Sequence, residues 1–240
     1  MDLSKRLQTV ADAVTPGNRL ADIGTDHAYV PIALVTAGTC PYAIASDVNR
    51  GPLERAAAHI KKAGLSDRIE IRLGSGLDPV SPEEIDTAIF AGMGGDLMSK
   101  LLAAHPEFLQ AGTELVLQPQ SEWEKVRRLL HEQAYRIDRE WFLKEDGKYY
   151  LVIRALPGEE IFVGDTDLES YYCYGRYLVE NKDPVYRSYL AGKRAKDKGI
   201  LLKLHMMIGD MSGWKRRKER ADALKKEIQV IEKLLKTMEE

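Results

Sequence analysis

Arg19-Leu20-Ala21-Asp22-Ile23-Gly24-Thr25-Asp26-His27-Ala28-Tyr29 reads as a short apolar strand that stops in a small, polar, glycine-containing turn and then enters a helix. A second apolar run, Ala43-Ile44-Ala45-Ser46-Asp47-Val48, carries an acid near its end. Strand, turn, helix, strand and acid form the first half of a nucleotide-binding βαβ unit. The turn lets the backbone approach a ligand. A carboxylate at the tip of the second strand accepts hydrogen bonds from ribose hydroxyls, which makes Asp47 the candidate ribose acid and Val48 its neighbour in the same site. A helix-capping role for Asp47 competes with this, because Asn49 and Pro52 also shape a helix start.

The pattern continues outward. Leu3, Leu7, Val10, Ala11 and Val14 have helical spacing, and Pro16-Gly17-Asn18 ends that helix. Strands are expected at about 19–23, 42–46, 68–73, 87–90 and 114–118, with helices at about 27–37, 53–63, 98–104 and 122–133 between and after them. Tyr135–Leu143 and Lys148–Ala155 then flank Asp146-Gly147, a hairpin signal. Five βα units closing in an antiparallel hairpin predict an α/β fold, the seven-stranded sheet of class I Rossmann-like methyltransferases. A plain dinucleotide dehydrogenase would end in another parallel strand.

Leu156-Pro157-Gly158-Glu159-Glu160 is linker-like, so two domains are expected, 1–160 and 161–240. The second reads as helical and coiled-coil-like. One helix starts at Asp183-Pro184, and Met211-Ser212-Gly213 separates it from the last. There Leu224, Ile228, Ile231, Leu235 and Met238 are spaced 4, 3, 4 and 3. An antiparallel hairpin of 185–208 on 214–238 fits this seam as well as a dimer does; a monomer is expected.

The charge of the turn selects the cofactor. Asp22-Ile23-Gly24-Thr25-Asp26-His27-Ala28 stands where methyltransferases usually have Asp-x-Gly-x-Gly-x-Gly, with Asp26 and Ala28 replacing two glycines, and no G-x-G-x-x-G is present. A dinucleotide needs close backbone approach to a doubly charged pyrophosphate, which Asp26 would repel. The same carboxylate suits the ammonium and sulfonium of S-adenosyl-L-methionine, so an NAD enzyme is the disfavoured alternative. Asp22, Gly24, Thr25, Asp26 and His27 are therefore expected to touch the cofactor. Gly74-Ser75-Gly76 follows strand three, where small residues leave room for adenine and the Ser75 hydroxyl can bond its edge; a simple turn explains it equally. Ala91-Gly92-Met93-Gly94-Gly95 follows strand four at the carboxyl edge of the sheet and marks close backbone approach or a hinge. Gln118-Pro119-Gln120 faces the same crevice, unless Gln118 is a solvated loop residue.

Composition sets limits. The chain has 240 residues, 44% hydrophobic and 30% charged, with a net charge of −2. Cys40 and Cys173 have no metal-ligand spacing, no Cys/His cluster stands out, and no metal is expected. No run approaches the ~20 apolar residues that span a bilayer, and the start lacks an apolar core of signal-peptide length; a cytoplasmic protein without membrane partners is expected. From Arg187 to Lys226 there are 13 Lys/Arg against 4 Asp/Glu, a local excess of +9, so the remainder carries −11. A basic appendage on an acidic body points to a polyanion, with a solvated helix face as the alternative.

Together Asp22-Ile-Gly-Thr-Asp-His-Ala-Tyr29, Ala91-Gly-Met-Gly-Gly95, Gln118-Pro119 and the basic helical C-terminus resemble the bacterial tRNA (adenine-N1)-methyltransferase family called TrmK, over nearly the whole chain. The resemblance implies a Rossmann-like catalytic domain with a coiled-coil-like C-terminal domain, S-adenosyl-L-methionine as cofactor and the adenine at tRNA position 22 as substrate. It also implies an aspartate where Ser75 stands, so adenine-edge contact is altered here. On this footing Asp26 is the candidate for stabilising the cationic methylated base, Tyr29 for stacking on the base and Gln118 for orienting its amino group. The basic helices would hold tRNA phosphates. A methyltransferase for protein or small molecules and a non-catalytic binding module are the rivals.

Overall fold

A computed structural model describes residues 2–162, 167–206 and 213–240. Seven strands, β1 (Leu20–Ile23), β2 (Ala43–Asp47), β3 (Ile69–Leu73), β4 (Thr87–Met93), β5 (Glu114–Pro119), β6 (Tyr135–Glu145) and β7 (Lys148–Pro157), form one sheet in the order β3-β2-β1-β4-β5-β7-β6. The first five are mutually parallel and β7 is antiparallel to both β5 and β6, as the sequence predicts. β1 has β2 on one side and β4 on the other, so the winding direction reverses at β1. In open α/β sheets ligands bind at the carboxyl ends of the strands flanking such a reversal.

The helices of this sheet are α1 (Lys5–Asp12), α2 (Tyr29–Thr36), α3 (Arg50–Lys62), α4 (Gly95–Ala103), α5 (Pro106–Gln110) and α6 (Trp123–Glu132). β1 is buried along its whole length. Val10 and Val14 from the first helical segment pack in one cluster with Leu20, Ile89, Val116 and Val152, so the apolar face of α1 closes the sheet from one side. α2 reads Tyr-Val-Pro-Ile-Ala-Leu-Val-Thr, apolar almost all round, and it is correspondingly buried.

Several boundaries differ from expectation for local reasons. α2 begins at Tyr29, not near His27, because Ala28 has a left-handed backbone with φ of 54°. β4 runs on to Met93 past a register shift between Ala91 and Met93, where Gly92 has φ of 82°. α4 then starts at Gly95 instead of Met98. α3 starts at Arg50, which leaves Pro52 in a first turn whose amides need no partner. α5 and a 3-10 turn at Pro82–Glu84, both opened by a proline, were not expected. In the hairpin, Asp146 and Gly147 both have positive φ, the conformation of a tight type I′ connection.

The chain divides into two compact units, 1–174 and 175–240, where a boundary at 160 was expected. The difference is α7 (Leu168–Tyr174), which stays with the first unit. The buried Arg127 guanidinium donates to the Tyr172 carbonyl oxygen at 2.9 Å, and Arg128 pairs with Glu169 at 2.9 Å, both from α6.

The second unit holds α8 (Tyr177–Glu180), α9 (Pro184–Met206) and α10 (Trp214–Thr237). Asp183 caps α9 by accepting the Tyr186 N–H at 2.8 Å. Arg187, early in α9, bonds Glu239 beyond the end of α10, so the helices run antiparallel. Leu224, Ile228, Ile231, Leu235 and Met238 are all buried within this one chain. The seam is thus consumed by the hairpin. Met211 and Ser212, expected to separate the two helices, lie outside the described residues.

Candidate active site

The turn after β1 is built by backbone pairing. Gly24 and Thr25 both donate their N–H to the Ser46 carbonyl, at 2.9 and 2.8 Å, which ties the turn to the end of β2. Gly24 has φ of 76°, and a Cβ there would meet the Met93 side chain at 3.1 Å. The Thr25 hydroxyl accepts the Ala28 N–H at 3.2 Å and bonds the Asp22 carboxylate. Asp22 is buried at the floor. Burial pushes its carboxyl up to about 6, the Thr25 bond opposes this, and the charge of Asp47 adds to it. At neutral pH the floor is a buried anion.

Above it lies a cavity of about 320 Å³. Asp22, Gly24, Thr25, Asp26, His27 and Tyr29 line it from the turn, and Ala91 and Gly92 from the β4 bulge. Eight of the expected site residues therefore meet in one place. Asp26 is there, but its side chain is 62% exposed, ion-paired with Arg55 and 3.3 Å from His27. Arg55 holds its carboxyl below the usual range. The buried negative charge thus belongs to Asp22, whereas the charge of the turn pointed to Asp26. His27, Tyr29 and His59 stack on one another with centroids 4.9 to 5.3 Å apart, and the His59 ring contacts the His27 carbonyl at 3.2 Å.

The remaining expected residues are not in the cavity wall. β2–β3 pairing sets Asp47 opposite Leu73, and Gly74 donates to the Asp47 carbonyl at 3.1 Å. Asp47 Oδ1 accepts the Asn49 N–H at 2.7 Å, so its carboxylate does shape the approach to α3. Val48 and Leu73, at neighbouring strand ends, are 62% and 51% exposed. Gly74 and Gly76 have packing reasons: a Cβ would reach Pro79 at 2.8 Å or Leu101 at 2.9 Å. Ser75 is exposed in that turn, its carbonyl accepting the Asp78 N–H. Met93 packs on Gly24, and Gly94 precedes α4 beside Ser121.

Gln118 is fully buried, not a solvated loop residue. Its Oε1 accepts from Arg6 at 2.7 Å, while its amide nitrogen has no hydrogen-bond partner among the described residues. Arg6 lines the cavity and also lies over the Tyr150 ring, 5.6 Å from its centroid. Leu7 and Gln120 complete the wall. Helical spacing placed Leu7 on the apolar face of the first helix, and the Gln118-Pro119-Gln120 segment was expected to face the crevice, but nothing in the sequence marked Arg6.

The residues fit S-adenosyl-L-methionine. A buried anion at the turn matches a cationic sulfonium and ammonium, Asp47 offers a carboxylate for hydroxyls, and the exposed Val48 offers an apolar surface beside it. Among the described residues no group of three or more His, Cys, Asp or Glu could hold a metal ion.

The chain is similar to several known proteins. A family described as methyltransferase domain matches residues 3–153. The tRNA (adenine(22)-N(1))-methyltransferase of Bacillus subtilis is 36% identical over 187 residues, 78% of this chain and 79% of that protein. A Streptococcus pneumoniae structure in complex with S-adenosyl-L-methionine has a TM-score of 0.84 at 29% identity, covering 98% of this chain and 100% of its own. M. capricolum TrmK, in complex with S-adenosyl-homocysteine, has a TM-score of 0.77 at 28% identity, covering 95% of this chain and 99% of its own.

Proposed function

This chain belongs to the tRNA (adenine(22)-N(1))-methyltransferase family, and from that premise we infer that it transfers a methyl group from S-adenosyl-L-methionine to N1 of the adenine at tRNA position 22. The observation that carries this beyond kinship is the buried Asp22 carboxylate under a cavity at the β1 reversal.

When bound, the cofactor supplies an electrophilic methyl group on a sulfonium. Asp22 would oppose its positive charge, with Gly24, Thr25 and His27 beside it in the cavity wall. Asp47 would accept ribose hydroxyls, and Val48, Gly74, Ser75 and Gly76 would border the adenine ring. N1 of the target adenine has a free lone pair, so no residue needs to remove a proton before attack. The chain positions and desolvates, which can supply large factors when reacting atoms are held at ~3–3.5 Å. Tyr29, stacked with His27 and His59, presents a ring face for the extruded target base. Gln118, held by Arg6, is the candidate for orienting the amino group of that base. Asp26 places a carboxylate at the mouth, where the methylated base becomes cationic.

α9 and α10 hold the tRNA phosphates with the basic stretch from Arg187 to Lys226. A tRNA substrate supports a cytoplasmic location; among the described residues no helix is long and apolar enough to cross a membrane. A monomer is supported by the burial of the α10 seam inside its own hairpin.

The test is mass spectrometry of tRNA nucleosides after incubation of unmodified tRNA with the purified chain and isotopically labelled S-adenosyl-L-methionine. Labelled 1-methyladenosine is expected. Another methylated nucleoside, or none, overturns the assignment.

A further inference from the structure

In the second unit, the end of α9 and the start of α10 enclose a cavity of about 170 Å³. His205, Trp214, Arg217, Lys218, Asp222 and Lys225 line it. Trp214 is the first residue of α10, directly after Gly213, whose left-handed φ of 73° turns the chain into the helix. Leu224 and Ile231, further along α10, are fully buried, but Trp214 is 49% exposed. Leu202 and Met206, in the last turns of α9, are exposed as well.

The charge around this ring has one dominant sign. Lys218 Nζ lies 5.1 Å from the indole centroid. The first turn of α10 contains no acid. Asp222 is the acid in the cavity, 3.8 Å from Lys225. A surface aromatic among cations is the arrangement that binds single-stranded nucleic acid, with the ring taking the π-face of a base and the cations its phosphates. A base inside a duplex has both faces covered, so the matching ligand is an unpaired nucleotide.

We propose that this cavity binds one unpaired nucleobase of the tRNA, stacked on Trp214. Arg217 and Lys225 meet the flanking phosphates, and Asp222 accepts from a base amino group. The assignment rests on the tRNA-methyltransferase reading and adds to it a base contact in a unit otherwise expected to touch only phosphates.

Filter binding of an unmodified tRNA transcript to the full chain at several salt concentrations tests it, with Trp214→Ala, Trp214→Phe and Lys225→Ala compared. Trp214→Ala is expected to weaken binding roughly tenfold or more with an unchanged salt slope, because stacking and not ion release is lost. Trp214→Phe keeps most of the affinity, which also controls for folding. Lys225→Ala lowers the salt slope by about one. If Trp214→Ala binds like the parent chain, or Trp214→Phe is as weak as Trp214→Ala, the base site is overturned while the methyltransferase reading stands. A parent chain that binds no tRNA overturns both.

Discussion

Arg6 and Gln118 meet at 2.7 Å, joining the first helix to the end of the fifth strand. The contact gives a buried amide an orientation it could not hold alone. Gln118 Oε1 is satisfied by the guanidinium, so the Nε2 donor is the end left over. Arg6→Ala is expected to strand the carbonyl oxygen as well, at about 1–3 kcal/mol. Melting should fall by several degrees, and kcat/KM for tRNA methylation by about tenfold or more, with Arg6→Lys recovering part of both. An Arg6→Ala enzyme with the parent rate would remove this pair from substrate positioning.

Asp22 makes stability depend on pH in an unusual direction. Its carboxyl lies near 6 in the fold, against 3.8 as a free side chain, with burial as the main cause. Below pH 3.8 it is protonated in both states and costs nothing. As pH rises to about 6 the unfolded chain releases its proton first, so the protein loses stability across that window. At 1.36 kcal/mol per unit the loss is on the order of 3 kcal/mol. Asp22→Asn should therefore melt higher than the parent at pH 7.5 and match it near pH 3.5. Calorimetric titration should show its affinity for S-adenosyl-L-methionine reduced. Undiminished affinity would relocate the charge partner to another residue.

Arg127 and Glu140 form an ion pair with no side-chain exposure, Nε to Oε1 at 2.9 Å. Arg127 also donates to the Tyr172 carbonyl, so it joins α6, β6 and α7. Removing one partner leaves the other charge buried and unpaired, a loss of about 3–5 kcal/mol. Chemical denaturation should show that loss for Arg127→Met and a smaller one for Arg127→Met combined with Glu140→Leu. Additive losses in the double variant would mean that the two groups are not coupled.

The elements legible in the sequence were those whose cause is local. β1 ends where Asp22-Ile23-Gly24 leaves the apolar run, and Asp146-Gly147 fixes the hairpin by its own backbone preference. The end of β4 was misplaced because the strand resumes after a bulge, and a glycine inside a strand looks like its stop. Arg6 was invisible because its partner lies 112 residues away. The charge of the turn pointed to Asp26, whereas the carboxylate that the fold buries is Asp22. Asp22 and Asp26 look alike in sequence, and only the fold buries the first and gives the second to Arg55.

Glycine gives a last test, in which the same substitution should act in opposite directions. Gly95 opens α4, and a Cβ there would lie 2.5 Å from the carbonyl oxygens of both Ser121 and Glu122. Those atoms are backbone and cannot swing aside. Gly95 also donates to the Ser121 carbonyl at 3.0 Å, so the helix start and the loop after β5 would have to separate. Gly95→Ala should lower the melting temperature by several degrees. It should also reduce methyl transfer, because displacing α4 drags the preceding Gly92 out of the cavity wall. Gly192 lies inside α9 with nothing within 4 Å of its would-be Cβ. Gly192→Ala should stabilise the hairpin by about 0.5–1 kcal/mol by cutting the backbone freedom lost on folding. Circular-dichroism melts of the two variants beside the parent read both signs. A Gly95→Ala chain that melts like the parent would show that α4 yields more easily than its backbone contacts allow.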